Sequence, residues 1–409
     1  MSLENIKNWM SSKRGEMVEL QKKITCVKAL APENGGDGES EKAGVLLSWL
    51  KENGFEHIEV FNAPDSRVSS GVRPSIVVTI PGKNNSAPVL WVMAHLDVVP
   101  TGELSLWKTD PWQCIEKDGK LFGRGVEDDQ QGLTSMVFAA MYLIKNQITP
   151  NNTVKLLFAA DEECGSEYGV QWLVKNTNLF NSSDMVIIPD GGDSDGVTIE
   201  IAEKNLLWLR FHVLGKQTHG SRPDSGINAC LAASDLALRI HGLEKVFNKT
   251  DSLFEPDYAT FQPTMRQKNV DGINIIPGDD VFFMDCRILP CYKLSDVILE
   301  IEKLIMDVEK EYGVKVEYSI PQQSESPATS LESPVVKLLS SAINLAHGQK
   351  TRCIGIGGGT VGAELRREGI DCAVWSTLND MAHQPNEYCV IDNIIKDAVT
   401  LAVIFESDI

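Results

Sequence analysis

Residues 92–100 read V-M-A-H-L-D-V-V-P, an apolar run that carries an imidazole, His95, and a carboxylate, Asp97, into a protein core. Burying either costs free energy unless it finds a partner. Other polar side chains stand in the same place, just past a short apolar run. Asp161, Glu162 and Glu163 follow V-K-L-L-F-A-A at 154–160, and Asp190 follows M-V-I-I-P at 185–189. His383 lies in N-D-M-A-H-Q-P-N-E, after A-V-W-S-T-L, and the loop G-R-G-V-E-D-D-Q-Q-G adds Asp128 and Asp129 ahead of a helical pattern. Singly, each has a structural explanation. A lone core histidine is usually just hydrogen-bonded, a D-E-E run usually faces solvent, and D-D before a helix often caps it. Together they resist that explanation, because carboxylates converging on one crevice of low dielectric repel unless cations hold them. Two imidazoles among several carboxylates are a ligand set for a divalent metal, borderline nitrogen beside hard oxygen.

Such residues meet only if the backbone brings strand ends together. S-I-V-V-T-I at 75–80, P-V-L-W-V-M-A at 88–94, V-K-L-L-F-A-A and M-V-I-I-P are short apolar runs of the buried-strand kind. Helical patterns at 3–30, 40–53 and 133–144 lie around them. Strands alternating with helices predict an α/β domain with a largely parallel mixed sheet, whose ligand crevice lies beyond the carboxyl ends of the strands. Near residue 204 the character changes. L-W-L-R-F-H-V at 207–213 alternates apolar and polar, a helix pattern covers 227–241, a Pro- and Asn-marked loop region follows, V-F-F-M-D-C-R-I-L at 281–289 is another strand, and 293–312 is an amphipathic helix. These predict a smaller α+β open-faced unit. A linker-like stretch, P-Q-Q-S-E-S-P-A-T-S-L-E-S-P within 320–334, precedes renewed α/β patterning. The expected division is 1–203 with 325–409 as one discontinuous domain, and 204–324 inserted between its halves.

The totals narrow the function. A net charge of −19 with no basic cluster repels phosphate backbones and argues against nucleic acid as a partner. The first residues, M-S-L-E-N-I-K-N-W-M, lack the apolar stretch of a signal peptide. No segment approaches the ~18 uninterrupted apolar residues of a membrane helix. The nine scattered cysteines form no C-x-x-C pair and read as thiols of a reducing compartment. The expected location is the cytoplasm.

The ordered stretches A-H-L-D-V-V-P, W-K-T-D-P-W with G-R-G-V-E-D-D, D-E-E-C-G-S, P-D-G-G, H-G-S-R-P and A-H-Q-P-N-E cover nearly the whole chain. In this the chain resembles the co-catalytic zinc exopeptidases and deacylases, which include carboxypeptidase G, aminoacylase, acetylornithine deacetylase, succinyl-diaminopimelate desuccinylase and carnosinase-like dipeptidases. The resemblance implies a catalytic domain of the zinc exopeptidase type, interrupted by a lid and dimerisation domain, with two Zn²⁺ per subunit (Co²⁺ or Mn²⁺ suiting the same donors). It implies that His95 and Asp190 hold one ion, Glu163 and His383 the other, and that Asp128 bridges them, with a cis peptide between Asp128 and Asp129. Two residues along a strand, Asp97 would share a face with His95 and support its imidazole. Glu162 matches the general base. His219 in T-H-G-S-R-P matches an oxyanion-stabilising histidine, often supplied across a dimer. Asn274 and Arg287 match substrate-carboxylate positions, which suit the planar fork of arginine. Gly358, Gly359 and Thr360 match a glycine-rich loop lining the pocket.

The implied substrate is a dipeptide, short peptide or N-acyl amino acid with a free carboxylate, and the implied assembly is a homodimer through the inserted domain. Two features depart from the family pattern. Gln130 and Gln131 stand where many relatives carry a lysine, and Val361 follows the G-G-T where an acidic residue is common. A different class competes weakly: G-G-G-T-V-G at 357–362 fits G-x-G-x-x-G, the fingerprint of a dinucleotide-binding oxidoreductase, but only 47 residues follow Gly362.

Overall fold

A computed structural model describes residues 2–84 and 86–407. The chain divides into two compact units, the first comprising residues up to Ile201, Thr329–Ile354 and the residues from Glu364 onward, the second Ala202–Ala328 with Gly355–Ala363.

The first unit is built on an eight-stranded sheet. Its order is Ile58–Pro64, Val72–Ile80, Val154–Ala159, Leu90–His95, Met185–Asp193, Asp371–Thr377, Thr198–Glu203, Arg352–Ile356. The four strands from Val154–Ala159 to Asp371–Thr377 are parallel neighbours. The pairings of Ile58–Pro64 with Val72–Ile80, of Val72–Ile80 with Val154–Ala159 and of Asp371–Thr377 with Thr198–Glu203 are antiparallel. The inner strands are continuous apolar runs because a covered sheet leaves them no wet face, and Leu90–His95 is buried at every residue. Helices Gln130–Lys145 and Ile391–Glu406 pack against each other and are apolar nearly all round. A side ribbon of three short strands, Tyr388–Val390, Lys120–Phe122 and Ile115–Lys117, completes the unit.

This parallel arrangement puts the carboxyl ends of four adjacent strands on one rim. On Met185–Asp193 the register with Asp371–Thr377 slips between Val374 and Ser376, which face Ile188 and Gly192. Pro189, Asp190 and Gly191 therefore bulge opposite Trp375, and a bulge of this kind re-aims a side chain.

The second unit carries a four-stranded antiparallel sheet in the order Thr260–Arg266, Asp279–Ile288, Asn205–Leu214, Lys315–Ser324. Its core joins Leu207, Leu209, Phe211 and Val213, the inward alternate residues of one strand, to Ala233, Leu236 and Ile301 of helices Ala229–His241 and Leu294–Tyr312. Two details differ from expectation. The stretch read as a linker begins as strand, since Lys315–Ser324 continues through Pro321 and both glutamines. The region read as loop contains Thr260–Arg266, an edge strand that tolerates Pro263 because an edge needs no second ladder of hydrogen bonds. Among the described residues, no helix is long and apolar enough to cross a membrane.

Candidate metal centre

Each of the four neighbouring parallel strands delivers a side chain to the rim. His95 ends its strand, Asp190 rises from the bulge, and Glu163 lies in the short turn Glu162–Cys164 just after Val154–Ala159. His383 follows Asp371–Thr377 in a loop whose Asp380, His383 and Asn386 adopt left-handed backbone (φ 58, 61 and 62°). Asp, Asn and His tolerate that region better than most residues, and here it turns the imidazole back over the rim. Asp128 precedes helix Gln130–Lys145, and its peptide bond to Asp129 is cis.

Two triads form there. Ligand atoms of His95, Asp128 and Asp190 lie within 4.8 Å of one another, as do those of Asp128, Glu163 and His383. Asp128 belongs to both: its Oδ1 is 2.9 Å from His95 Nε2, and its Oδ2 is 3.2 Å from His383 Nε2. Glu163 Oε2 is 3.0 Å from His383 Nε2. The electrostatics describe a centre with a surplus of anions. Burial alone would raise Asp128, but the imidazoles of His383 and His95 hold it well below the usual carboxylate range. Burial drives Asp190 well up, reinforced by Asp129 and Asp128. Glu163 is also raised by burial, against the pull of His383. Glu162 is pushed up to about 8 by burial, with His95 opposing and Glu163 adding to it. Against burial, which would lower it, His95 is raised well above the usual imidazole range by Asp128 and Asp97, and Asp128 and Glu163 raise His383 up to about 10. Glu163 Oε1 and Asp129 Oδ1 are buried with no hydrogen-bond partner. An orphaned buried oxygen beside crowded carboxylates is what cations relieve, so the donor set fits divalent metal.

Asp97 sits differently from expectation. The strand stops at His95, so Asp97 lies beyond it and not on a shared strand face. His95 Nδ1 reaches the Asp97 main-chain oxygen at 3.0 Å and its Oδ1 only at 3.5 Å. The carboxylate oxygens instead accept the N–H groups of Glu162 and Glu163, each at 3.0 Å. Asp97 thus fixes both the imidazole and the turn of the two glutamates. Asp129, at the helix N-cap position, makes no capping bond there. Its Oδ2 accepts the His95 N–H at 3.3 Å.

In the second unit, the two-stranded pairing of Thr218–His219 with Ile275–Ile276 brings His219 and Asn274 together, and the Gly220 N–H donates to the Asn274 carbonyl at 2.7 Å. The Ser221 N–H donates to His219 Nδ1 at 3.2 Å, the Ser221 hydroxyl lies 2.8 Å from the same nitrogen, and His219 is exposed. Arg287 donates to both Asp285 oxygens and, at 2.7 Å, to the Gly357 carbonyl. Gly358 and Gly359 are exposed, and Thr360 Oγ donates to Glu203 at 2.6 Å.

The departures from the family pattern have structural places. Gln130 accepts the Thr25 hydroxyl at 2.7 Å, while Gln131 donates to the Thr377 carbonyl at 2.8 Å and to buried Asp397 at 3.2 Å. Val361 is buried. The dinucleotide fingerprint fails: the helix after it, Gly362–Arg367, has six residues, and Thr198–Glu203 separates the strand before it from Asp371–Thr377. Two acidic residues escaped notice in the sequence, Glu127 and Glu387. Both are buried and both hold ligand loops. Their only signal was position, next to Asp128 and within H-Q-P-N-E.

The profile of peptidase family M20/M25/M40 matches residues 91–407. An uncharacterized metallohydrolase of Methanococcus maripaludis is 37% identical over 415 residues, covering 95% of this chain and 98% of its own. A succinyl-diaminopimelate desuccinylase of Wolbachia pipientis is 25% identical, covering 93% and 90%. Among solved structures, human carnosine dipeptidase 1 superposes with a TM-score of 0.74 at 16% identity, covering 99% of this chain and 98% of its own. Aminopeptidase PepT from Bacillus cereus superposes at 0.77 and 19%, covering 96% and 98%.

Proposed function

The chain belongs to peptidase family M20/M25/M40, and from that membership we propose that it cleaves the amide bond of a dipeptide, short peptide or N-acyl amino acid bearing a free carboxylate. The coarser statement, a metal-dependent hydrolase, follows from the family. The finer reading is supported chiefly by one observation, the two ligand triads that share Asp128. In it, His95 and Asp190 would hold one Zn²⁺, Glu163 and His383 the other, with Asp128 serving both, and Co²⁺ or Mn²⁺ could substitute. Two such ions supply a polarised carbonyl and a water of lowered pKa.

The residues of the chain do the rest. Glu162 takes the proton of the attacking water and passes it to the leaving amine. Asp97 holds the main chain of Glu162 and orients His95. His219 is the proposed donor for the developing oxyanion. Arg287 uses three of its five N–H groups on Asp285 and Gly357. The remainder suit a substrate carboxylate, next to the loop of Gly358, Gly359 and Thr360, and Asn274 is assigned to the same carboxylate by the family resemblance alone.

A dedicated N-deacylase of the acetylornithine deacetylase or succinyl-diaminopimelate desuccinylase type is the second reading, favoured by the extent of the alignment with a succinyl-diaminopimelate desuccinylase. A hydrolysis screen of dipeptides against acetyl-, succinyl- and formyl-amino acids, with and without chelator, separates the two. Hydrolysis of neither set by metal-loaded protein would refute the proposal. We place the protein in the cytoplasm, a reducing compartment that suits its nine scattered cysteines. We take its working form as a homodimer through the second unit.

A further inference from the structure

The loops that carry Asp128 and His383 are tied to each other by two carboxylates that lie outside both ligand triads. Glu387, four residues after His383, reaches the other loop. Its Oε2 accepts Arg124 Nη1 at 2.7 Å and the Gly125 N–H at 2.9 Å. Its Oε1 accepts the N–H groups of Glu127 at 2.9 Å and Asp128 at 3.2 Å. Glu127, immediately before Asp128, reaches back. Its Oε1 accepts the Asn379 N–H at 2.7 Å, and its Oε2 accepts that of Met381. Neither side chain is open to solvent, Glu387 being 0% and Glu127 3% exposed. The loop around residues 379–387 has no ladder of its own for these amides, and a buried N–H without an acceptor costs roughly 1–3 kcal/mol. Each loop thus supplies the acceptor that the other lacks.

We infer that Glu127 and Glu387 are a reciprocal pair of positioning residues for the metal centre. Glu387 sets Asp128, the carboxylate common to both cation sites, and Glu127 sets the loop of His383, an imidazole that serves one. The inference rests on the two-cation reading above, and it assigns the two glutamates unequal effects.

Cobalt(II) titrated into metal-free protein tests it. Visible absorbance follows each equivalent, calorimetry gives the stoichiometry, and thermal unfolding without metal reports the fold. Glutamine keeps the size of each side chain but turns an NH₂ donor against N–H donors. Glu127→Gln is expected to weaken one equivalent about 10–100-fold and leave the other unchanged, while Glu387→Gln weakens both. The double variant is expected to lose less than the two losses multiplied together, because each residue acts on the loop that holds the other. Alanine variants that fold should keep the same order. A glutamine variant that unfolds at a lower temperature yet binds both equivalents like the wild type would show a structural role only and overturn the inference. So would equal weakening of both equivalents by Glu127→Gln. Wild-type protein that takes up no cobalt would bring down the two-cation reading itself, a result visible before any variant is made.

Discussion

Glu162 and Glu163 adjoin in sequence, and their main-chain N–H groups share one acceptor residue, Asp97, yet only Glu163 falls in a triad. Replacing Glu162 by Gln is expected to lower kcat by ~10²–10⁴-fold, the range of general-base catalysis, while metal content by elemental analysis stays at the wild-type level. Retained turnover would reassign the base. The titrating groups give a second expectation. In metal-free protein His383 rises from 6.5 to about 10, held by Asp128 and Glu163, and Glu162 rises from 4.5 to about 8, driven by burial. Both folded values exceed the unfolded ones, so both groups stabilise the fold at low pH and lose that contribution as pH climbs through them. A cation held there would displace the His383 proton and offset the charge that Glu162 gains on ionising. The rise in unfolding temperature on adding zinc should therefore be larger at about pH 9 than at about pH 6, and an increment independent of pH would contradict the shared site. His95, Asp128, Glu163, Asp190 and His383 were legible because polar residues at the ends of apolar runs are anomalous. Glu127 and Glu387 were not, since an acidic residue in a loop looks like any solvated one until its acceptors are seen pointing inward.

Strand and helix geometry fixes how little room the site leaves. Gly132 lies in the first turn of helix Gln130–Lys145, where an added Cβ would meet Asp129 Oδ1 at 2.3 Å and the Cγ and carbonyl oxygen of Pro189 at 2.7 Å. Gly132→Ala must push on the residues that precede both the helix and Asp190. A loss of about 1–3 kcal/mol, the usual range for overpacking, is expected together with weaker metal binding. Calorimetric unfolding and metal titration check the two halves, and a stable variant with normal affinity would show that the helix can shift freely. The continuous apolar strands were readable in sequence. Ile58–Pro64 was not, because as an edge strand it is largely exposed and carries Glu59, Asn62 and Pro64. Thr260–Arg266 escaped for the same reason. Asp97 was placed on the wrong element because nothing in L-D-V-V-P marks where the strand stops.

At the level of the assembly, Thr260–Arg266 leaves one ladder of its sheet open, and Arg266 ties it to helix Ala229–His241 through the Cys230 carbonyl and Ser234 hydroxyl. Leu231, Leu238 and Met265 are 56, 68 and 53% exposed. A sheet edge beside apolar side chains is the surface expected of a dimer contact. Leu238→Glu should halve the mass measured by light scattering without lowering the unfolding temperature, and a wild-type monomer would rule out the proposed dimer. The wide spacing of the ligands along the polypeptide has a temporal corollary. Four of the five are made by residue 190, but the fifth waits for residue 383, after the whole second unit. At roughly 5–20 residues per second, a ribosome takes about 10–40 s to cover that gap. The strand that precedes His383 is also an inner one, so the nascent chain cannot close the rim around a metal pair. On the two-cation reading, the site of His95, Asp128 and Asp190 is complete by residue 190, while that of Asp128, Glu163 and His383 cannot close until residue 383 is made.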